Sequence, residues 1–268
     1  MFIITNSRYK QEVSKFSKKD AIIAICLFLY WAIYAFIEGM LRPIFGMSEE
    51  IYDITRIVFA VVNISIVFAI VLMRKQGLRS IGLHKNRLGS AVFLGLMFAP
   101  IAIIIRGILP GLIDDGVLSP LGSLVFIFVN TALLAVREDI TFVGFIQTRI
   151  HGLVKNDNWA INIVAAMFAV LHIPQQLVIG IPMGVVPLIL WLVICFFIHR
   201  AFVILFKRYF SLVPVFIMHT FINFSNRIWQ GQGWIAFLFF GIFTVVFVVA
   251  VEVWDERWNK KRADKVSE

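Results

Sequence analysis

The stretch LGSLVFIFVNTALLAVREDITFVGFIQTRI, residues 121–150, decides the fold. It is apolar at both ends, shows no alternation, and carries Arg137, Glu138 and Asp139 side by side at its middle. A bilayer crossing takes about 20 helical residues, so this segment is too long for a straight span. It is expected to tilt, bend or break near its charged centre. Inside hydrocarbon only a helix or a closed barrel satisfies the backbone hydrogen bonds. A continuous apolar run, rather than alternating ten-residue strands, selects the helix.

The rest of the chain reads the same way. Of 268 residues, 60% are hydrophobic and 15% charged, against roughly 45–50% and about 25% in soluble domains. Apolar runs predict helices over residues 21–41, 55–73, 88–109, 121–150, 159–172, 185–205, 213–229 and 234–253. Pro100 is positioned to kink the third, and Pro174 to end or kink the fifth. The expected fold is all-α, a polytopic transmembrane helical bundle of about eight helices. Residues 1–20 read as an N-terminal tail, 21–254 as one membrane domain and 255–268 as a C-terminal tail.

Loop charge tests the count. Arg8, Lys10, Lys15, Lys18 and Lys19 precede the first helix, and Arg74, Lys75, Arg79, Lys85 and Arg87 follow the second. Arg149 and Lys155 follow the fourth, Lys207 and Arg208 the sixth, and Lys260, Lys261, Arg262 and Lys265 the last. The alternate connections carry Glu49, Glu50 and Asp53, then Asp114 and Asp115. By the positive-inside rule both termini are cytoplasmic. The net charge of +9 therefore reads as topology and anchoring to anionic lipid, not as a nucleic-acid surface. Cys26 and Cys195 sit in apolar runs with no ligand spacing and read as small buried hydrophobes. The polar, mixed-charge N-terminus and the long run after it argue against a cleaved signal peptide.

An ionisable side chain at the bilayer centre costs about 2.5–3.5 kcal/mol on insertion scales, so such residues are functional candidates. Arg137, Glu138 and Asp139 must face other helices or a wet cavity; the plainer alternative is an interhelical polar clamp. His172 follows Phe168 by one helical turn, and His219 precedes Asn223 by one turn. Residues four apart share a helix face, and Asn226 lies near the His219–Asn223 stripe. From the cytoplasmic side, Glu138 lies roughly 18 Å deep, His172 roughly 20 Å and His219 roughly 10 Å at 1.5 Å per residue. His84, His151 and His199 read as loop or headgroup-level residues. Trp31, Trp159, Trp229 and Trp254 suit interface belts.

At these residues the chain resembles the CAAX-protease and bacteriocin-processing family of intramembrane peptidases, also called CPBP or Abi. That family is marked by Glu-Glu-x-x-x-Arg, Phe-x-x-x-His and His-x-x-x-Asn on three membrane helices. Here they stand as Glu138-Asp139 with Val143, as Phe168 to His172, and as His219 to Asn223. The resemblance covers roughly residues 121–227. Two departures are visible: Asp139 replaces the second Glu, and Val143 stands in place of the Arg. Arg137 is adjacent to Glu138 but points about 100° away around an ideal helix.

The resemblance implies an intramembrane endopeptidase that cleaves a peptide or membrane-protein substrate at the cytoplasmic side. Glu138 would activate water, His172 would hold that water or relay its proton, and His219 and Asn223 would donate to the oxyanion, with Asp139 as the second carboxylate. No cofactor is expected; a zinc version would use Glu138, His172 and His219. The metal-free reading is preferred because no His-Glu-x-x-His segment and no second carboxylate partner for either histidine is visible. The alternative is a non-catalytic member acting as a membrane scaffold or in bacteriocin immunity; a transporter would show half-repeats, and none is found. Partners are the substrate and the lipid bilayer, with no nucleic acid. The Ile-, Phe- and Lys-rich composition points to the plasma membrane of an AT-rich bacterium. A prenylated CAAX protein, a leader peptide and a quorum-sensing propeptide all suit such a cavity.

Overall fold

The computed structural model describes residues 5–84, 88–113, 117–174, 185–230 and 234–267. Lys85, Arg87, Asp114 and Asp115 of the loop-charge pattern lie outside them, as do residues 1–4 of the N-terminal segment. The side chains of Glu49, Lys260, Lys261, Arg262 and Lys265 lie outside them too.

Each of the eight apolar runs forms a helix. In chain order α1 is Thr5–Val13, α2 Lys18–Phe45, α3 Glu49–Met73 and α4 Leu88–Ala102, the last continuing to Ile113. Then come α5 Leu121–Asp139, continuing to Gly152, α6 Asp157–Val170, α7 Val185–Tyr209, α8 Val213–Ser225 and α9 Trp234–Ser267. Apart from helices, the described residues hold one two-residue antiparallel pairing, β1 Val117–Leu118 with β2 Trp229–Gln230.

Caps explain several helix starts. Ser17 and Asp20 form a reciprocal capping box at α2, with the Ser17 amide donating to Asp20 Oδ2 at 2.9 Å. Asp20 also accepts from Arg74 at 3.1 Å and Gln76 at 2.7 Å, fastening the start of α2 to the end of α3. Asn156 Oδ1 accepts the Trp159 amide at 3.1 Å and opens α6.

Two helices change winding where the sequence signalled trouble. Pro100 lies inside α4, and a π-helical segment follows at Ile103–Ile108. A second π-segment, Ile140–Ile146, begins directly after Asp139. A proline has no amide to donate, and a π-segment widens the helix so that it presents side chains off the regular stripe.

The outer face is apolar: Leu29, Ile33, Phe36, Val61, Phe93, Leu112, Val125 and Val245 are all exposed. Among the described residues, five helices are long and apolar enough to cross a membrane: Lys18–Leu41, Glu50–Met73, Leu88–Ile113, Leu121–Gly152 and Val185–Tyr209. The chain is a multi-pass membrane protein. Of the about eight helices expected, two are short. The helices α6 and α8 have only 14 and 13 residues, about 20 Å at 1.5 Å per residue, short of the roughly 30 Å hydrocarbon core. Within the bundle α8 packs against α4 and α5, and α6 against α7. A hydropathy run cannot tell a span from a buried helix, because both are apolar all round.

Burial corrects five expectations. Residues 5–13 are a packed helix rather than a free tail, with Tyr9 fully buried between Phe206 and Phe210. His151 is buried and meets the Tyr9 hydroxyl at 3.1 Å. His199 sits inside α7, stacked on Phe168 with ring centroids 4.6 Å apart. Trp31 is a core residue, edge-on to Phe142. Cys26 is exposed, while Cys195 is buried as expected.

Candidate functional site

The helix α5 delivers Arg137, Glu138 and Asp139 at the point where regular winding ends. Successive residues on a helix project about 100° apart, so the three side chains go to three different neighbourhoods.

Asp139 points to α8. Its Oδ1 receives a hydrogen bond from His219 Nδ1 at 3.0 Å, and its Oδ2 has no hydrogen-bond partner among the described residues. Glu138 lies on the other side of the same imidazole, with Oε2 3.7 Å from His219 Nε2. The ring also packs on Phe202 at 5.1 Å between centroids. His219 thus has one nitrogen committed to Asp139, and its free edge faces Glu138.

Arg137 points to α2. Its guanidinium is fully buried and donates to Tyr34 Oη at 3.1 Å and to Glu38 Oε2 at 3.2 Å. It lies 4.8 Å from the Trp31 ring centroid and 5.6 Å from that of Tyr34. The other terminal nitrogen reaches Glu138 Oε1 at 3.5 Å. Glu38 is bridged in turn to Arg56 at 2.8 Å, and Asp53 to Arg227 at 2.9 Å and Arg56 at 3.8 Å. A chain of ion pairs therefore runs from Arg227 to Glu138 through the helix bundle.

This changes the reading of the missing arginine. Val143 is completely buried in the core, and the cation beside Glu138 is Arg137. An ideal helix turns Arg137 away, but a long side chain returns across that angle when Glu38 and Tyr34 hold its far end. Sequence reasoning missed Glu38, Arg56 and Arg106. All three are ionisable residues in or beside apolar runs, so the cost of intramembrane charge was the signal that could have found them.

His172 follows α6. Its Nδ1 donates to the Phe168 carbonyl at 2.9 Å, since a carbonyl only accepts; in the neutral ring Nε2 is then an acceptor. Glu138, His172, His219 and Asn223 line one cavity of about 220 Å³, together with Thr131 and Phe168. A narrower recess of about 20 Å³ between Glu138 and His172 is walled by Trp31, Phe142 and Phe168. One water needs roughly 10–15 Å³ by this measure, so the recess is of single-water size. The cavity also touches Asn226, Arg106 and Cys195.

The histidine–carboxylate contact corrects one argument from sequence, because His219 does have a carboxylate partner. Such a partner would orient a zinc-binding histidine as readily as a hydrogen-bonding one. As the side chains stand, no three His, Cys, Asp or Glu among the described residues gather closely enough to hold a metal ion.

Residues 120–225 match the family model described as Type II CAAX prenyl endopeptidase Rce1-like. The match spans less than half of the chain and runs from the start of α5 to the end of α8. None of the curated proteins matches the chain. The matched segment holds all three motifs, and its limits agree with the resemblance drawn from them. The matched segment is similar to the CAAX-protease and bacteriocin-processing family.

Proposed function

We propose that the chain is an intramembrane endopeptidase that hydrolyses a peptide or membrane-protein substrate from the cytoplasmic side of a bacterial plasma membrane. The observation that supports this most is the shared cavity: a carboxylate, two histidines and an amide from three helices around one recess of single-water size. A structural clamp would have no need of a cavity.

In this reading Glu138 is the general base. Arg137 holds its Oε1 side, leaving Oε2 turned to the cavity and to His219. A water between Glu138 and His172 loses a proton to Glu138 as it attacks the scissile carbonyl. His219, held by Asp139 as an imidazolium that donates from both nitrogens, and the Asn223 amide donate to the oxygen on which negative charge develops. Glu138 then returns the proton to the leaving amine. The apolar walls of Trp31, Phe142 and Phe168 keep bulk water from these charges, which strengthens each contact.

The non-catalytic alternative rests on Val143. It weakens once Arg137 is seen beside Glu138, because the cation that the motif lacks comes from the preceding residue. The test is purified protein in phospholipid vesicles with a library of synthetic lipid-anchored peptides, products being sequenced by mass spectrometry. Cleavage that disappears in Glu138→Ala supports the peptidase; identical products from wild type and Glu138→Ala would sink it. Cleavage insensitive to chelator, with no metal retained on purification, is expected, and stoichiometric zinc would overturn the metal-free form.

A further inference from the structure

Of the three arginines that line this cavity among the described residues, Arg106 is the buried one. It comes from the π-segment of α4 and is only 3% exposed. One guanidinium nitrogen donates to the Ile222 carbonyl, the residue next to Asn223. The planar group lies over the Phe240 ring, 3.7 Å from its centroid. Its Nε is buried without a hydrogen-bond partner among the described residues.

The other cavity cations have acids. Arg56 is held by Glu38, and Arg227 by Asp53. No carboxylate among the described residues pairs with Arg106. Leaving a buried guanidinium without a counter-charge is costly, and one carbonyl and one ring offset only part of that cost. A planar guanidinium with unused donors is suited to a carboxylate, which it meets through two parallel hydrogen bonds. Phe240 and Ile222 already hold it rigidly, so little entropy would be lost on engagement.

We propose that Arg106 is a substrate-carboxylate site, which seats a carboxylate of the peptide in the same cavity as Glu138, His219 and Asn223. That the ligand is a substrate rests on the peptidase reading; that the site takes a carboxylate rests on the unpaired guanidinium. Because Arg106 is bonded to the residue beside Asn223, the seated carboxylate is near the reacting bond. A cavity of about 220 Å³ is below the roughly 300–1,000 Å³ of drug-sized sites. The carboxylate seated there belongs to the part of the substrate that enters this cavity. Its source is either the chain terminus or an Asp or Glu side chain of the substrate.

The test uses the full chain in phospholipid vesicles and needs no cleavage. With Cys26→Ser, Cys195 is the single thiol, and it lines the cavity with Arg106. Its modification by an anionic sulfonatoethyl methanethiosulfonate is compared with that by the cationic trimethylammonium analogue. The probes are acetyl-Leu-Phe-Ala-Val-Ile as free acid, as C-terminal amide, and as the amide with Glu replacing Val. The expected result is a preference for the anionic reagent on the order of tenfold over a free thiol, lost in Arg106→Gln and partly kept in Arg106→Lys. A carboxylate peptide should slow labelling in wild type and not in Arg106→Gln. Protection by the free acid assigns the chain terminus, and protection by the Glu-bearing amide alone assigns a side chain.

Equal reagent preference in wild type and Arg106→Gln, or equal protection by acids and the plain amide, would overturn the proposal. Thr131→Cys with Cys195→Ser is the second reporter; a cavity closed to both reagents at both positions also overturns it. Loss of the peptidase reading through an active Glu138→Ala would leave the labelling result standing, so the two failures are distinguishable.

Discussion

His219 is held between two carboxylates that are neighbours in sequence: Nδ1 is 3.0 Å from Asp139 Oδ1, and Nε2 is 3.7 Å from Glu138 Oε2. Adjacent helical residues diverge by about 100°, so one ring can be gripped on one edge by Asp139 and approached on the other by Glu138. The pair divides the work between orientation and chemistry.

Asp139→Asn should separate these roles. The amide keeps the shape but not the charge, so it cannot stabilise an imidazolium that donates from both ring nitrogens. Peptide cleavage in vesicles is expected to fall by about 10²-fold or more in kcat, the scale of one acid–base group, with KM little changed. A variant within twofold of wild type would show that His219 needs no carboxylate.

Arg137→Gln leaves Glu38 with Arg56 as its remaining cation and frees one side of Glu138. Breaking a buried pair from one side typically costs about 3–5 kcal/mol, so thermal unfolding in detergent should drop well below wild type. Glu38→Gln should have a similar effect, and the double variant should be less destabilised than the sum, since the two share one contact. Adding Val143→Arg should not restore Arg137→Gln, because Val143 is fully buried in the hydrophobic core.

Gly152 closes α5 against the start of α2. A Cβ there would lie 2.1 Å from the Ser17 carbonyl oxygen and 2.7 Å from its carbon. Backbone cannot swing aside as a side chain does, so Gly152→Ala should cost about 1–3 kcal/mol, the usual range for overpacking. Gly46→Ala, where nothing lies within 4 Å but φ is +60°, should instead show only a local strain cost, typically about 1 kcal/mol. Comparing the two melting temperatures in the same detergent checks the difference.

Outside the spans, Asp157 pairs with Lys207 at 2.8 Å. Burial alone would push the Asp157 carboxyl up; the Lys207 hydrogen bond and charge outweigh it and hold the group below the ordinary carboxylate range. A depressed carboxyl contributes stability above its unfolded value, near 3.9, and loses it as pH falls through the folded value. Melting temperature should therefore fall on acidification below about pH 5, and less steeply in Asp157→Asn. Equal slopes would remove the pair from the stability balance. The site is half-open to solvent, so added salt should shrink the effect.

The three motifs were legible because each obeys helical spacing within one element. Phe168 and His172, or His219 and Asn223, share a face whatever surrounds them. The break in α5 was legible as well: a 30-residue apolar run with three charges at its centre cannot remain a simple span, and the π-segment after Asp139 is how the chain resolves it.

By itself, then, the sequence determined that the chain is an apolar helical bundle, and which three helices carry the polar groups that must meet. Those are local properties, set by hydropathy and by the 3.6-residue repeat. Only the tertiary structure decided how α6 and α8 pack within the bundle, that His199 and Trp31 belong to the core, and that Arg137 stands beside Glu138. Each of these depends on contacts between residues far apart in the chain: Arg137 returns toward Glu138 because Glu38, 99 positions earlier, holds it. Spacing along one helix carries no information about such a partner, and the energy of a buried charge is settled by which partner is there.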